Sequence, residues 1–220
     1  MRKITFGQIV FFLMLFFSAL GLAIISTSFF FGNLMLGDFR GIILVVLGVG
    51  SLYVYAVLIY RLFLYFYPLQ RGEISMGSAE EFIYHVYLLF YLILFYPVMR
   101  SGFVPVPLMR IVYLSLGARL GRNTYSSGIL LDPPFIHIGD NTIVGQYALL
   151  IPHVIEGSKL AHEPIYIGNN VTIGAHAVVL SGVRIDDDAL VATGAVVKKG
   201  THILTGEVWG GVPARRLSFK

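Results

Sequence analysis

The sequence predicts an all-β solenoid behind an α-helical transmembrane anchor, and two patterns in its 220 residues predict it. Aliphatic residues fall on every sixth position through Ile138, Val144 and Leu150, then again through Ile167, Ile173, Val179, Ile185, Val191, Val197 and Ile203. Alternation by two marks a half-buried strand and a period near 3.6 marks a helix. A period of six marks a short strand plus a turn, three of which close a triangular coil of eighteen residues whose aliphatic positions point inward. Ahead of the repeat, no charged residue occurs from Ile4 to Phe31, a run longer than the roughly 20 apolar residues a helix needs to cross a bilayer.

The bulk composition agrees. With 56% hydrophobic and 13% charged residues the chain is too apolar for an ordinary soluble domain. The absence of cysteine excludes disulfides, a cysteine nucleophile and thiolate metal sites. The net charge of +4 comes from scattered basic residues without interleaved aromatics, so no nucleic-acid partner is expected.

The first span is Ile4–Phe31. "MRK" followed by an apolar stretch and "ALGLA" imitates a signal peptide, but the run is too long and a second follows. Gly41–Tyr60 is the second span. A third apolar piece, Phe82–Val98, is shorter, contains His85 and lies between Glu80-Glu81 and Pro97; it reads as interfacial or re-entrant, with a full span as the alternative. Arg2 and Lys3 before the first span, with Arg61 and Arg71 after the second, favour both ends inside. In "FVPVPLMRIVYLSLGARLG" two prolines interrupt any helix, and Leu108, Ile111 and Val112 form an apolar stripe suited to the bilayer surface. The expected organisation is two transmembrane helices in 1–77, an interfacial or re-entrant helix and connector in 78–119, and the solenoid in 120–220.

A second register supports the solenoid. Four residues after the first nine aliphatic positions stand Thr142, Ala148, Val154, Val171, Ala177, Val183, Ala189, Ala195 and Thr201, mostly small or β-branched. Coils begin at Leu120, Ile138, Ile167, Ile185 and Ile203, eighteen residues apart except for eleven extra between 138 and 167. Residues 156–166, "EGSKLAHEPIY", are therefore expected as a loop thrown out from the prism. The glycines and asparagines at the coil starts suit turns of positive φ.

On these residues Leu120–Leu217 resembles the hexapeptide-repeat acyltransferases, a family that includes galactoside, maltose and serine acetyltransferases and capsule or colanic-acid O-acetyltransferases. "GEVWGGVPARRL" is similar to the family's closing Gly-x-Pro-Ala-(Arg/Lys) segment, and "LGARLGRNTY" to the lead-in of its capsule-type members. The resemblance implies a left-handed parallel β-helix, a homotrimer with sites between prisms, and acetyl-CoA as acyl donor without a metal. It also implies His153, in "LLIPHVIEG", as the catalytic histidine, since the family places one directly before the extruded loop; an imidazole is suited to act as base near neutral pH. His162, in "LAHEPIYIG", resembles the His-Pro of serine acetyltransferase with Glu163 intervening, and is a second catalytic candidate. Glu156 or Glu163 is a candidate to orient an imidazole. His137, His176 and His202 read as turn or rim residues. Carried over residue by residue, the donor groove falls to Ala175, Thr193, Lys198, Lys199 and Arg215, the cations facing phosphates. Thr172 stands where many sugar-acetylating members have tryptophan, so stacking there is lost.

These readings combine into a membrane-anchored acyltransferase in the inner (cytoplasmic) membrane, multi-pass, with its catalytic domain on the cytoplasmic side. The expected acceptor is a hydroxyl or amine of a lipid-linked saccharide or glycolipid in cell-surface polysaccharide biosynthesis. Two alternatives stand beside it. One is a non-enzymatic trimeric membrane scaffold. The other is a γ-class carbonic anhydrase-like protein, which needs a His-x4-His pair after an earlier histidine that positions 153, 162 and 176 do not supply.

Overall fold

A computed structural model describes residues 2–35 and 37–217. The chain forms two compact units, one of Arg2–Leu69 with Ala79–Pro97 and the other of Gln70–Ser78 with Val98 onward.

The first unit is helical. Helix α1 (Phe6–Phe31) and helix α2 (Arg40–Phe66) pair antiparallel, with Phe11 against Phe63 near one end and Thr27 donating to Ser51 at 3.2 Å toward the other. Helix α3 (Ala79–Phe90) continues through a π-helical turn, Tyr91–Phe95, into α4 (Tyr96–Arg100). Phe90 meets Phe12 edge to face at 5.1 Å, and Phe95 meets Tyr60 at the same centroid distance. Polar groups lie inside: Arg2 pairs with Glu81 at 3.1 Å, and Gln8 Oε1 faces His85 Nδ1 at 3.1 Å. Large apolar side chains such as Ile25, Phe29, Val45 and Val46 lie outside. Three helical stretches, Phe6–Phe31, Gly37–Phe66 and Ala79–Arg100, are long and apolar enough to cross a membrane; half of the third is buried, against 17% and 6% for the others.

The second unit is a three-sided prism of parallel strands. One face stacks Arg119–Leu120, Ile136–Ile138, Ile165–Ile167, Arg184–Ile185 and His202–Ile203. The next stacks Tyr125–Ser126, Ile143–Val144, Thr172–Ile173, Leu190–Val191 and Val208–Gly210, with Arg215–Arg216 folded back antiparallel on the last. The third stacks Ile129–Leu130, Leu149–Leu150, Val178–Val179 and Val196–Val197. The coil starts align as Leu120, Ile138, Ile167, Ile185 and Ile203.

Every aliphatic position of the six-residue period is 5% exposed or less. Burying such a side chain stabilises by about 1.5–3 kcal/mol, which a single coil cannot collect without neighbours above and below. One member of the second register departs: Val154 lies outside the prism, and Ile165, fully buried, fills the inward place below Val183.

The corners explain the "IGDN" and "IGNN" coil starts. Asp140 Oδ1 accepts the backbone N–H of Arg122 at 2.6 Å, Asn169 Oδ1 that of Asp140 at 2.7 Å, and Asp187 Oδ1 that of Asn169 at 2.7 Å. The preceding glycine makes room for this ladder, because a Cβ on Gly168 would overlap Asp187 Oδ1. The asparagine after it turns the corner, with φ of +54° at Asn141 and +55° at Asn170.

Helix α5 (Val106–Leu116) packs on the first coil through buried Met109, Tyr113 and Leu116. Tyr113 Oη donates to Gly128 O at 2.9 Å and accepts from Leu130 N at 3.3 Å. Burial pushes its hydroxyl pKa up to about 12, against the lowering effect of the Leu130 bond.

The eleven extra residues form a β-hairpin, His153–Glu156 with Lys159–His162, where a loop over 156–166 was expected. Tyr166 is already back on the prism. The hairpin gains a third strand from far upstream: Gly72–Glu73 pairs antiparallel with it, Gly72 opposite His162 and Glu73 opposite Ala161. Ile74, 2% exposed, donates its N–H to Leu160 O at 2.8 Å.

Candidate active site

The hairpin springs from the corner that follows Leu149–Leu150, so His153 leaves the prism as the hairpin's first residue. Its Nδ1 stands 2.5 Å from Asp132 Oδ2. Asp132 is 3% exposed and holds a left-handed backbone, φ +44° and ψ +65°, immediately before the 3-10 turn Pro133–Phe135. Aspartate tolerates that region better than most residues, and such strain accumulates where a side chain must be aimed. A carboxylate accepts only, so Nδ1–H donates and Nε2 keeps its lone pair. Burial alone, the largest effect, would lower the His153 pKa; the hydrogen bond and charge of Asp132 together outweigh it and raise the pKa above the ordinary value.

His162 sits directly across the hairpin from His153 and is fully buried, its ring stacked on Phe135 at 4.5 Å. Burial lowers its pKa, opposed by the Asp132 charge and reinforced by His153. The site is thus a partly exposed imidazole held by a buried carboxylate, with a second, buried imidazole beside it. That arrangement can accept a proton at Nε2 and return it.

The expected orienting carboxylates serve elsewhere. Glu156 pairs with Lys199 Nζ, and Glu163 accepts from Arg71 Nε at 3.2 Å. Asp132 was missed because the third strand of the first coil comes two residues early: Leu130 aligns with Leu150, twenty residues apart, whereas the other faces keep eighteen. Counting eighteen back from His153 leads to Phe135, which belongs to His162. The available signal was "LDPPF", an aspartate directly before two prolines in the stretch that breaks the six-residue period.

The donor candidates do not converge within one chain. Ala175 and Thr193 stack at one edge of the four-stranded face, where Gly194 N donates to Ala175 O at 2.9 Å. Lys198 and Lys199 lie at the opposite edge, the hairpin's corner, and Arg215 lies on the returning final strand. Beside the hairpin runs an open groove of about 840 Å³ lined by Arg71, Lys159, Arg184 and Lys199 with Glu73, Glu156 and Glu163. Alternation along the hairpin turns Val154, Glu156, Lys159 and Ala161 to this groove and His153 and His162 to the other face. His176 holds a left-handed turn against Tyr147, His137 stacks on Tyr166, and His202 bonds Asp186. Among the described residues no group of three His, Cys, Asp or Glu side chains is gathered to hold a metal.

Residues 164–199 match the family described as bacterial transferase hexapeptide (six repeats). The prism is similar to the hexapeptide-repeat transferases. This hexapeptide prism is 36% identical over 118 residues to galactoside O-acetyltransferase of Escherichia coli K12, a match covering 47% of this chain and 56% of that protein. It is also 40% identical over 80 residues to mitochondrial gamma carbonic anhydrase 1 of Arabidopsis thaliana, covering 36% of this chain and 25% of that one. A solved maltose O-acetyltransferase of Clostridium difficile 630 aligns at 24% identity and a TM-score of 0.41, over 47% of this chain and 59% of that one. The chain thus spans from a quarter to little more than half of the curated relatives named here.

Proposed function

We propose that this hexapeptide-repeat chain is a membrane-anchored O-acetyltransferase that uses acetyl-CoA. The observation that carries the proposal is the Asp132–His153 pair, a base oriented by a buried carboxylate at the root of the hairpin. The name of the Escherichia coli relative, a galactoside O-acetyltransferase, supports the reaction class. His153 Nε2 takes the proton of the acceptor hydroxyl as its oxygen attacks the thioester carbonyl. Asp132 steadies the imidazolium that results. The C–S bond then breaks, and the departing thiolate recovers the proton from His153. No cysteine exists to form an acyl-enzyme, so direct transfer is the simplest scheme.

Lys198, Lys199 and Arg215 would hold the phosphates of the donor, with Ala175 and Thr193 along its arm. The lysines and the Ala175–Thr193 pair occupy opposite edges of one prism face, which favours a homotrimer whose sites each combine two prisms. The inside-out polarity of α1 and α2 favours their insertion in a membrane. A prism held at a cytoplasmic membrane surface meets lipid-linked saccharides at raised effective concentration, making a polyprenol-linked sugar of surface-polysaccharide assembly the favoured acceptor.

The test is acetyl-CoA binding and thioester turnover by detergent-purified full-length protein. Wild type binds and turns over slowly, His153→Ala binds without turnover, and Lys199→Ala binds more weakly. A wild-type protein that fails to bind acetyl-CoA overturns the reading.

A further inference from the structure

We infer that the third apolar helix, Ala79–Arg100, enters and leaves the bilayer on the same face, and that α5 continues it as a surface lying on lipid. The inference rests on the reading of α1 and α2 as a membrane anchor. It starts from the strand Gly72–Glu73, which precedes the helix yet belongs to the prism unit. Besides the strand pairing, Ile74 is buried and bonded to Leu160, and Arg71 pairs with Glu163. The chain that follows the helix belongs to the same unit. There α5 is fastened to the first coil by Tyr113, while Arg110 donates to Thr124 O at 2.8 Å and Leu120 O at 3.3 Å.

Both flanks of the helix are therefore tied to one body. At 22 residues, about 33 Å, the helix is long enough to cross, so length does not decide the matter. Sidedness does. A crossing helix delivers its flanks to opposite compartments, whereas the prism, with its corners of charged and amide side chains, occupies one. The strand pairing and the α5 packing cannot both form unless the helix returns to the side it left.

Two further features fit. The helix begins beside the chain start, since Glu81 pairs with Arg2 and His85 with Gln8, and its ring contacts fall on Phe11, Phe12 and Tyr60 in the half of the helix pair nearest that end. Beyond the helix, Phe103 is 91% exposed, and Leu108 and Ile111 project from α5 at 52% and 61%. Arg110, the one charged residue of α5, is turned onto the first coil, leaving the outward face uncharged. An uncharged apolar face directly following a membrane-embedded helix is suited to the boundary between headgroups and acyl chains.

The cysteine-free sequence gives a background-free test. Single substitutions Leu34→Cys, Ser78→Cys, Ser101→Cys and Thr205→Cys in the full chain are labelled with a membrane-impermeant maleimide in intact cells and in inverted vesicles. Ser78→Cys, Ser101→Cys and Thr205→Cys are expected to react from one side and Leu34→Cys from the other. Labelling of Ser78→Cys and Ser101→Cys from opposite sides overturns the inference; labelling of Leu34→Cys with the rest removes the anchor reading on which it depends. Acetyl-CoA turnover is scored separately and moves with neither result. For the surface, bimane on Ile111→Cys in proteoliposomes of phosphatidylglycerol and phosphatidylethanolamine is expected to be quenched more by shallow than by deep lipid nitroxides. Bimane quenched by neither overturns that part.

Discussion

At the scale of single residues, the proposed base, His153 held by Asp132, predicts the pH dependence. In the proposed mechanism the unprotonated imidazole is the active form, so turnover is expected to rise with pH through the His153 pKa, which Asp132 holds above the ordinary 6.5. Asp132→Asn removes both raising influences and leaves burial, so the rising limb of kcat/KM moves to lower pH. Its plateau falls by about 10²–10⁴-fold, because the imidazole loses the partner that fixes its tautomer. A pH–rate profile of the two proteins checks both the direction of the shift and the loss. His153 was readable as a candidate through the family resemblance, from its place before the extra residues. Asp132 was not, because a strand displaced by two residues within an eighteen-residue coil shifts the stacking on one face alone, and no count in sixes or eighteens leads from one to the other.

At the scale of elements, the corner ladder and the hairpin carry separate predictions. Gly168→Ala places a Cβ onto Asp187 Oδ1 and within 2.8 Å of Asp187 N. The expected cost is about 1–3 kcal/mol. In a double-mutant cycle by urea unfolding, Asp187→Ala relieves part of that cost, since the backbone approach remains. Ile74→Asp buries a carboxylate under the hairpin and releases its third strand. Hydrogen exchange is expected to accelerate at Leu160 and His162 while Ile173 and Val191 keep their protection, and turnover falls with it. The buried positions of the coils were readable because six-residue spacing reports which side chains face inward. The third strand was not, since "RGEIS" has no period and its partner lies 90 residues away. The hairpin itself hid behind a polar stretch that reads as loop; its pairing is seen only once both strands are placed.

At the scale of the whole molecule, the proposed donor positions on two edges of one face, Ala175 and Thr193 against Lys198 and Lys199, predict assembly. Detergent-corrected light scattering is expected to give three times the chain mass, and mixed trimers of His153→Ala with Thr193→Trp are expected to regain part of the wild-type turnover, because the two positions stand at opposite edges and one site then draws its intact halves from different chains. A monomer with full turnover contradicts this. The strand register has a metric consequence as well. Leu150, Val179 and Val197 stand in successive coils of one face, so Lys199, two residues past Val197, is two coils above Pro152 and the histidine next to it. Neighbouring strands lie about 4.7–4.9 Å apart, which sets that axial offset at about 9–10 Å. The prism is thus a ruler graduated in coils: its core permits length changes in steps of eighteen residues, and each step alters the reach between base and cation by one fixed increment while leaving every corner intact.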